Sequence, residues 1–154
     1  LVKGSNESRI GWGLQLSTIF RPADKLTIYG TANTGRGYGS LTGDLIMTNF
    51  DLINNPNEPG KMYAPASWAW YGAVQYHFLP NLFASATIGQ ERFTPAHHVD
   101  PSTYKYGLYG AMNLFWDITP RVQVAAEVNL GKRQNFDGSH NYARRACLMT
   151  QFSF

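Results

Sequence analysis

The feature that most limits what this chain can fold into is a two-residue alternation of apolar and polar side chains, repeated in seven separate segments. A β-strand turns successive side chains to opposite faces, so such alternation reads as strands with one apolar and one polar face. The segments cover roughly 9–20, 25–36, 68–78, 82–93, 104–116, 121–133 and 142–154. The sixth is the plainest: Val122, Val124, Ala126, Val128 and Leu130 share one phase, and Gln123, Ala125, Glu127 and Asn129 the other. In the fifth, Tyr106, Leu108, Met112, Leu114 and Trp116 oppose Lys105, Tyr109, Asn113 and Asp117. No stretch of comparable length carries a helical period.

The connections alternate in length. Tight turns are expected at Arg21-Pro22-Ala23-Asp24, Leu79-Pro80-Asn81 and Ile118-Thr119-Pro120, where Pro and Asn or Asp supply turn geometry. Long links fall between them, at about 37–67, 94–103 and 134–141. Short turns at one end and long loops at the other is the asymmetry of an outer-membrane barrel, with the short turns periplasmic. Composition agrees. Of 154 residues 14% are aromatic and only 15% charged, against about 25% charged in soluble domains. No run of about 18 apolar residues offers a transmembrane helix. The net charge of +3 is scattered and gives no nucleic-acid footprint. A single cysteine, Cys147, excludes an intrachain disulfide.

The expected fold is therefore all-β: a transmembrane, antiparallel, up-and-down β-barrel of porin-like type. Seven strands is an odd number, whereas single-chain bacterial barrels are even. The first strand also starts on the loop side, so an ascending strand should precede it. At ~4.8 Å spacing and ~40° tilt, seven strands span an arc of roughly 45 Å, against roughly 100 Å for a sixteen-stranded wall. Residues 1–154 then read as one segment, the C-terminal part of a larger barrel. The opening Leu1-Val2-Lys3-Gly4 has neither an initiator Met nor a signal peptide, as a mature or a truncated chain would.

On the apolar phase Trp12, Trp68, Trp70 and Trp116 are expected at the membrane interface, where apolar rings keep a hydrated N–H. On the polar phase Gln15, Gln75, Asn113, Gln123, Glu127, Asn129 and Gln151 are pore-lining candidates. A dry core would leave many of these groups unmet at about 1–3 kcal/mol each, and a water-filled lumen removes that penalty. Arg9, Lys105, Arg133 and Arg145 are the basic pore-lining candidates, able to bias a pore toward anions. Glu127 is a candidate partner for one of them. Arg92, Lys132 and Arg144 fall on the apolar phase near the outer strand ends, and three readings stay open. They project beyond the hydrocarbon, meet lipopolysaccharide phosphates, or mark a bulge that resets the phase.

The link at 37–67 is too long for a simple hairpin. Its Leu45, Ile46, Met47, Phe50, Leu52 and Ile53 suit packing inside the barrel or against another subunit, with a free surface loop as the alternative. His97-His98, Asp100 and His140 lack metal spacing, no catalytic grouping stands out, and neither an enzyme activity nor a cofactor is expected.

The end of the chain, Ala146-Cys147-Leu148-Met149-Thr150-Gln151-Phe152-Ser153-Phe154, resembles the C-terminal signal read by the barrel assembly machinery, with Phe152 and Phe154 as its aromatic positions. Three stretches resemble the DcaP-type trimeric outer-membrane transporters, particularly versions from Bacteroidetes. They are Arg21-Pro22-Ala23-Asp24-Lys25-Leu26-Thr27-Ile28-Tyr29-Gly30, Met62-Tyr63-Ala64-Pro65-Ala66-Ser67 leading into Trp68-Ala69-Trp70-Tyr71, and Ala143-Arg144-Arg145-Ala146. That resemblance implies a sixteen-stranded homotrimer in a Gram-negative outer membrane, in contact with lipopolysaccharide and passing small anionic organic solutes. The leading functional expectation is a passive, anion-biased diffusion channel. The competing readings are a plugged or adhesive barrel and a soluble, lipocalin-like ligand-binding barrel.

Overall fold

The computed structural model describes residues 8–43, 45, 48 and 50–154. In chain order its strands are β1 (Trp12–Ala23), β2 (Leu26–Arg36), β3 (Ile53–Asn54), β4 (Met62–Tyr63), β5 (Ala66–Leu79), β6 (Leu82–Thr94), β7 (Tyr104–Thr119), β8 (Val122–Asn135) and β9 (His140–Phe152). Seven of them form one sheet in the order β1-β2-β5-β6-β7-β8-β9, while β3 and β4 pair separately. Every neighbouring pair is antiparallel. Among the described residues β1 and β9 are the two edges, so this chain alone closes no barrel.

The seven expected segments are all strands, and the register turns their alternation into two faces. One cross-strand row reads Phe20, Ile28, Val74, Ala86, Met112, Val128, Ala146. The row beside it reads Thr27, Gln75, Ser85, Asn113, Glu127, Cys147. The first face carries most of the large exposed apolar side chains, with Leu16 at 77%, Met112 at 69% and Leu148 at 89% exposure. Strands of 11 to 16 residues rise about 36–53 Å at ~3.3 Å per residue.

The tight turns are shorter than expected, and all three are built alike. Each is a two-residue turn, at Asp24-Lys25, Pro80-Asn81 and Pro120-Arg121. Each follows one extra residue in the incoming strand, between Phe20 and Ala23, His77 and Leu79, and Asp117 and Thr119. The expected turn at residues 21–24 is thus mostly strand. Pro22 has no N–H to give a ladder, and a bulge on an edge strand is where that costs least. The second turn residue in each case accepts a hydrogen bond from the strand beyond. His77 N–H donates to Lys25 O, Asp117 N–H to Asn81 O and Ser153 N–H to Arg121 O, each at 2.9 Å. The last strand ends at Phe152, not at the expected position 154, and Phe154 lies past it, fully exposed.

The long link is not one open loop. After a 3-10 turn at Gly39–Leu41, β3 and β4 make a small hairpin whose tip is closed by a 2.9 Å Lys61–Glu58 ion pair. Ile46, Met47 and residues 1–4 lie outside the described residues.

Gly13 and Gly35 face each other across β1 and β2. A Cβ on Gly35 would stand 2.1 Å from the Trp12 carbonyl oxygen and 2.7 Å from Gly13 Cα. Gly35→Ala should therefore force β1 off β2, seen as faster amide exchange across residues 12–23. Gly72→Ala, whose Cβ meets nothing nearer than 4.0 Å, should leave that exchange unchanged.

Candidate functional site

Antiparallel register gathers most of the sheet's amides and hydroxyls on one face; Thr34, Gln90, Gln134 and Thr150 are among those on the other. Gln15, Gln75, Asn113, Gln123, Glu127, Asn129 and Gln151 all stand on the polar face, distributed over five strands. Several bond sideways along that face. Gln15 Nε2 donates to Ser17 Oγ (3.2 Å), Asn113 Nδ2 to Ser85 Oγ (3.2 Å) and Gln123 Nε2 to Asp117 Oδ1 (2.7 Å). A chain of contacts crosses β7 to β9. Tyr109 donates to Asn129 Oδ1, Asn129 donates to Glu127, and Arg145 Nη2 lies 3.7 Å from Glu127 Oε1. The Arg145 side chain is 70% exposed, so this ion pair contributes about 0–1 kcal/mol and mainly orients its partners.

The basic candidates divide. Arg133 and Lys105 flank one aromatic group, with Arg133 Cζ 5.6 Å from the Tyr104 ring centre and Lys105 Nζ 5.8 Å from that of Phe136. Arg145 stands apart with Glu127. Arg9 precedes β1 and donates from Nε to Met62 O of β4 at 3.2 Å. One phase differs from the expected alternation. A bulge between Tyr104 and Tyr106 places Lys105 as the extra residue and carries Tyr104 to the polar side, where it is buried and donates to Glu91 O at 3.1 Å.

On the apolar face the register puts Trp12 opposite Arg36, Trp68 opposite Thr34, Trp70 opposite Ala32 and Trp116 opposite Leu82. Trp12 and Trp68 lie at the loop end and Trp116 at the turn end. Phe152 closes β9 opposite Val122. Arg92, Lys132 and Arg144 sit in unbroken register, so none of them marks a bulge; all three stand on the apolar face.

The long link packs across the loop end of the polar face. Tyr38 lies on the flat seat left by Gly13 and Gly35 and donates to Asn33 Oδ1 at 2.7 Å. A Cβ on Gly35 would come within 2.9 Å of its ring. Burial pushes the Tyr38 phenol above its ordinary value and the nearby Glu91 adds to the rise, so it stays a neutral donor. Asp51 accepts from the Ser40 backbone N–H (2.9 Å) and from its hydroxyl. Leu45, 1% exposed, packs with Phe93 and Tyr104, and Phe50 stacks on Phe93 at 4.4 Å. Beneath the link is an open recess of about 560 Å³ whose lining includes Gln15, Thr31, Asn33, Tyr71, Glu91 and Tyr109. It offers hydroxyls, amides and two exposed phenol rings to a hydrated solute.

His97 packs edge-on against Tyr63 at 4.7 Å and its Nδ1 lies 3.2 Å from Asn57 Nδ2, tying the β3–β4 hairpin to the next loop. Among the described residues no three or more His, Cys, Asp or Glu are grouped to hold a metal. Sequence reasoning did not pick out Tyr38 or Phe93. The available signals were two opposed glycines on the polar phase and a phenylalanine where that phase should be polar.

No family model matches this chain, and no curated protein does. Among solved structures it is similar to the outer membrane channel DcaP of Acinetobacter baumannii, with a TM-score of 0.77 and 20% identity. The match covers 94% of this chain and 41% of that one, so this chain spans well under half of the channel's length. At this identity the likeness shows a shared strand architecture.

Leu45→Ala should cost about 2–5 kcal/mol of local stability, the range for emptying a buried leucine site. The readout is faster proteolytic cleavage within residues 40–52 while the seven-stranded sheet stays protected. A pH effect is also expected in the two loops that Asp100 and Asp137 organise. Each carboxylate accepts the backbone N–H and hydroxyl of the serine two residues on, which holds it below the ordinary aspartate value. A lowered value means the turn is supported above the ordinary range and loses that support as pH falls through the lowered one. The Ser102 and Ser139 amide resonances should shift together at that pH, and Asp100→Asn with Asp137→Asn should abolish the shift.

Proposed function

We propose that this chain forms part of the wall of an outer-membrane β-barrel channel that passes small hydrophilic solutes by passive diffusion. The observation that carries this reading is the sheet itself: strands of 11 to 16 residues with one continuous apolar face and one polar face. Strands of 9–11 residues suffice to cross a bilayer at barrel tilt, and an apolar outer face with a polar interior is what such a barrel requires. The architecture shared with the DcaP channel supports the same reading. A soluble, ligand-filled barrel would turn the apolar face inward and cover it. Here the long link instead packs on the polar face, and the apolar face is left open among the described residues.

In this reading the missing wall joins the open edges of β1 and β9 to complete a sixteen-stranded barrel, assembled by the barrel machinery into a homotrimer of the Gram-negative outer membrane. Lys105, Arg133, Arg145 and Arg9 raise the local concentration of small anions such as organic acids at the loop-side mouth. Glu127 neutralises part of that field through Arg145. Such passage asks no covalent chemistry and no cofactor of the chain.

A second reading has a specific observation in its favour. The link held by Tyr38, Leu45 and Phe50 lies over the polar face and narrows or plugs the interior.

Single-channel recording of the full-length parent protein in planar bilayers separates these. A channel should show discrete open steps and a reversal potential shifted toward anions in a salt gradient. Persistent silence that becomes conductance after deletion of residues 40–52 would identify a plug. The membrane assignment has its own test in lipid vesicles. Met112→Arg, mid-strand on the apolar face, should lower unfolding stability by about 2–4 kcal/mol, and Asn113→Arg beside it on the polar face by far less. Equal costs would count against a lipid-facing wall.

A further inference from the structure

The register separates the charges of the sheet by sign. The acidic residues paired within the strands, Glu91, Asp117 and Glu127, all lie on the polar phase. On the apolar phase the paired charges are Arg36, Arg92, Lys132 and Arg144, all basic and all toward the loop end. Three of these lie along the border of four consecutive strands, with two tyrosines among them. Arg92 pairs with Tyr106, Lys132 pairs with Tyr142, and Arg144 pairs with Leu130, one step diagonal to Lys132. Lys132 Nζ is 5.7 Å from the Tyr106 ring centre, 5.9 Å from that of Tyr142 and 3.3 Å from the Tyr106 hydroxyl. The ammonium is thus held between two rings rather than left to swing free, and among the described residues no strand carboxylate stands on that face to compete for it.

Three cations at the loop-side border of an otherwise apolar face lie where hydrocarbon would give way to headgroups, and an anionic group there favours each by about 1 kcal/mol. Below them the same face continues as a shallow apolar furrow lined by Ile88, Met112, Val128 and Leu130. An anionic group joined to hydrocarbon chains matches both halves of this surface. We propose that Arg92, Lys132 and Arg144 bind the phosphate groups of lipid headgroups in the membrane leaflet on the loop side, Lys132 and Arg144 sharing one, with an acyl chain lying along the furrow. Guanidinium groups suit phosphate through paired donors, and the lysine adds a point charge. A second copy of this face fits less well, because two such surfaces would bring like charges together. The proposal rests on the membrane reading above.

The test uses the full-length parent protein reconstituted in phosphatidylcholine vesicles containing either bisphosphorylated lipid A or its dephosphorylated form. After extraction, retained lipid is counted by native mass spectrometry. The phosphorylated lipid should be retained preferentially. Arg92→Gln with Lys132→Gln and Arg144→Gln should weaken that retention by about fivefold per charge removed, with conductance unchanged as the sign of an intact barrel. Arg92→Lys with Arg144→Lys should keep most of it, and Arg145→Gln, a charge loss on the polar face, should keep all of it. Equal retention of the two lipids, or full retention by the triple glutamine variant, overturns the lipid site while the channel stands. Loss of oligomeric state with lipid retention unchanged overturns it in favour of a subunit interface. A parent protein that stays out of vesicles sinks the membrane reading and the lipid site with it.

Discussion

Side chains in this sheet acquire their surroundings from a hydrogen-bond register, and slipping any strand by one residue would exchange its two faces. Backbone pairing is therefore the constraint on which everything else rests. It sets Met112 beside Ala86 and Val128, and Asn113 beside Ser85 and Glu127. The contrast between those neighbours penalises the slipped alternatives, because each would set an amide in the apolar row and a methionine among hydroxyls. A sheet of this kind needs little interior of its own. The buried apolar cluster of Leu45, Phe93 and Tyr104 is small and lies where the long link meets the sheet.

That cluster shows how an exposed polar face can still hold a long segment of chain. The link is anchored at two places by different means. Near its start, Tyr38 occupies a gap that exists because two opposed residues lack side chains. Further on, Leu45 and Phe50 reach the aromatic side chain of Phe93, and Phe136 extends the group. The first anchor is shape and one hydrogen bond; the second is apolar contact. Between them lies the Ser40–Asp51 contact, which draws the two limbs of the link together.

The strands, their order along the chain and the face of nearly every residue were legible in the sequence, because a period of two is a local property. What was not legible came from departures from that period. The bulge at Tyr104–Tyr106 moves one tyrosine across the sheet, and nothing in Tyr104-Lys105-Tyr106 announces it, since a tyrosine suits either face. The Pro22 turn was misplaced for a related reason: proline marks a break in the ladder, and a bulge satisfies that as well as a turn does. The candidate site was legible as a list of polar-phase residues. That Glu127 would meet one of the basic residues was legible; that it is Arg145, and where Tyr38 sits, were not, because both depend on side-chain reach and long-range closure. For Arg92, Lys132 and Arg144 three readings stood open in the sequence, and the unbroken register removes one of them, the bulge.

The three short turns carry a consequence for how such a sheet is put together. Each hairpin leaves one carbonyl of its turn, at Lys25, Asn81 or Arg121, to be met by an amide from a strand outside that hairpin. A hairpin formed alone is thus incomplete at its tip, and it is finished only by the arrival of its successor. Construction in chain order lets every newcomer fasten the joint laid before it, as overlapping tiles hold down the course beneath. At Ser153 the same joint ties a residue beyond β9 to a bend some thirty positions earlier in the chain.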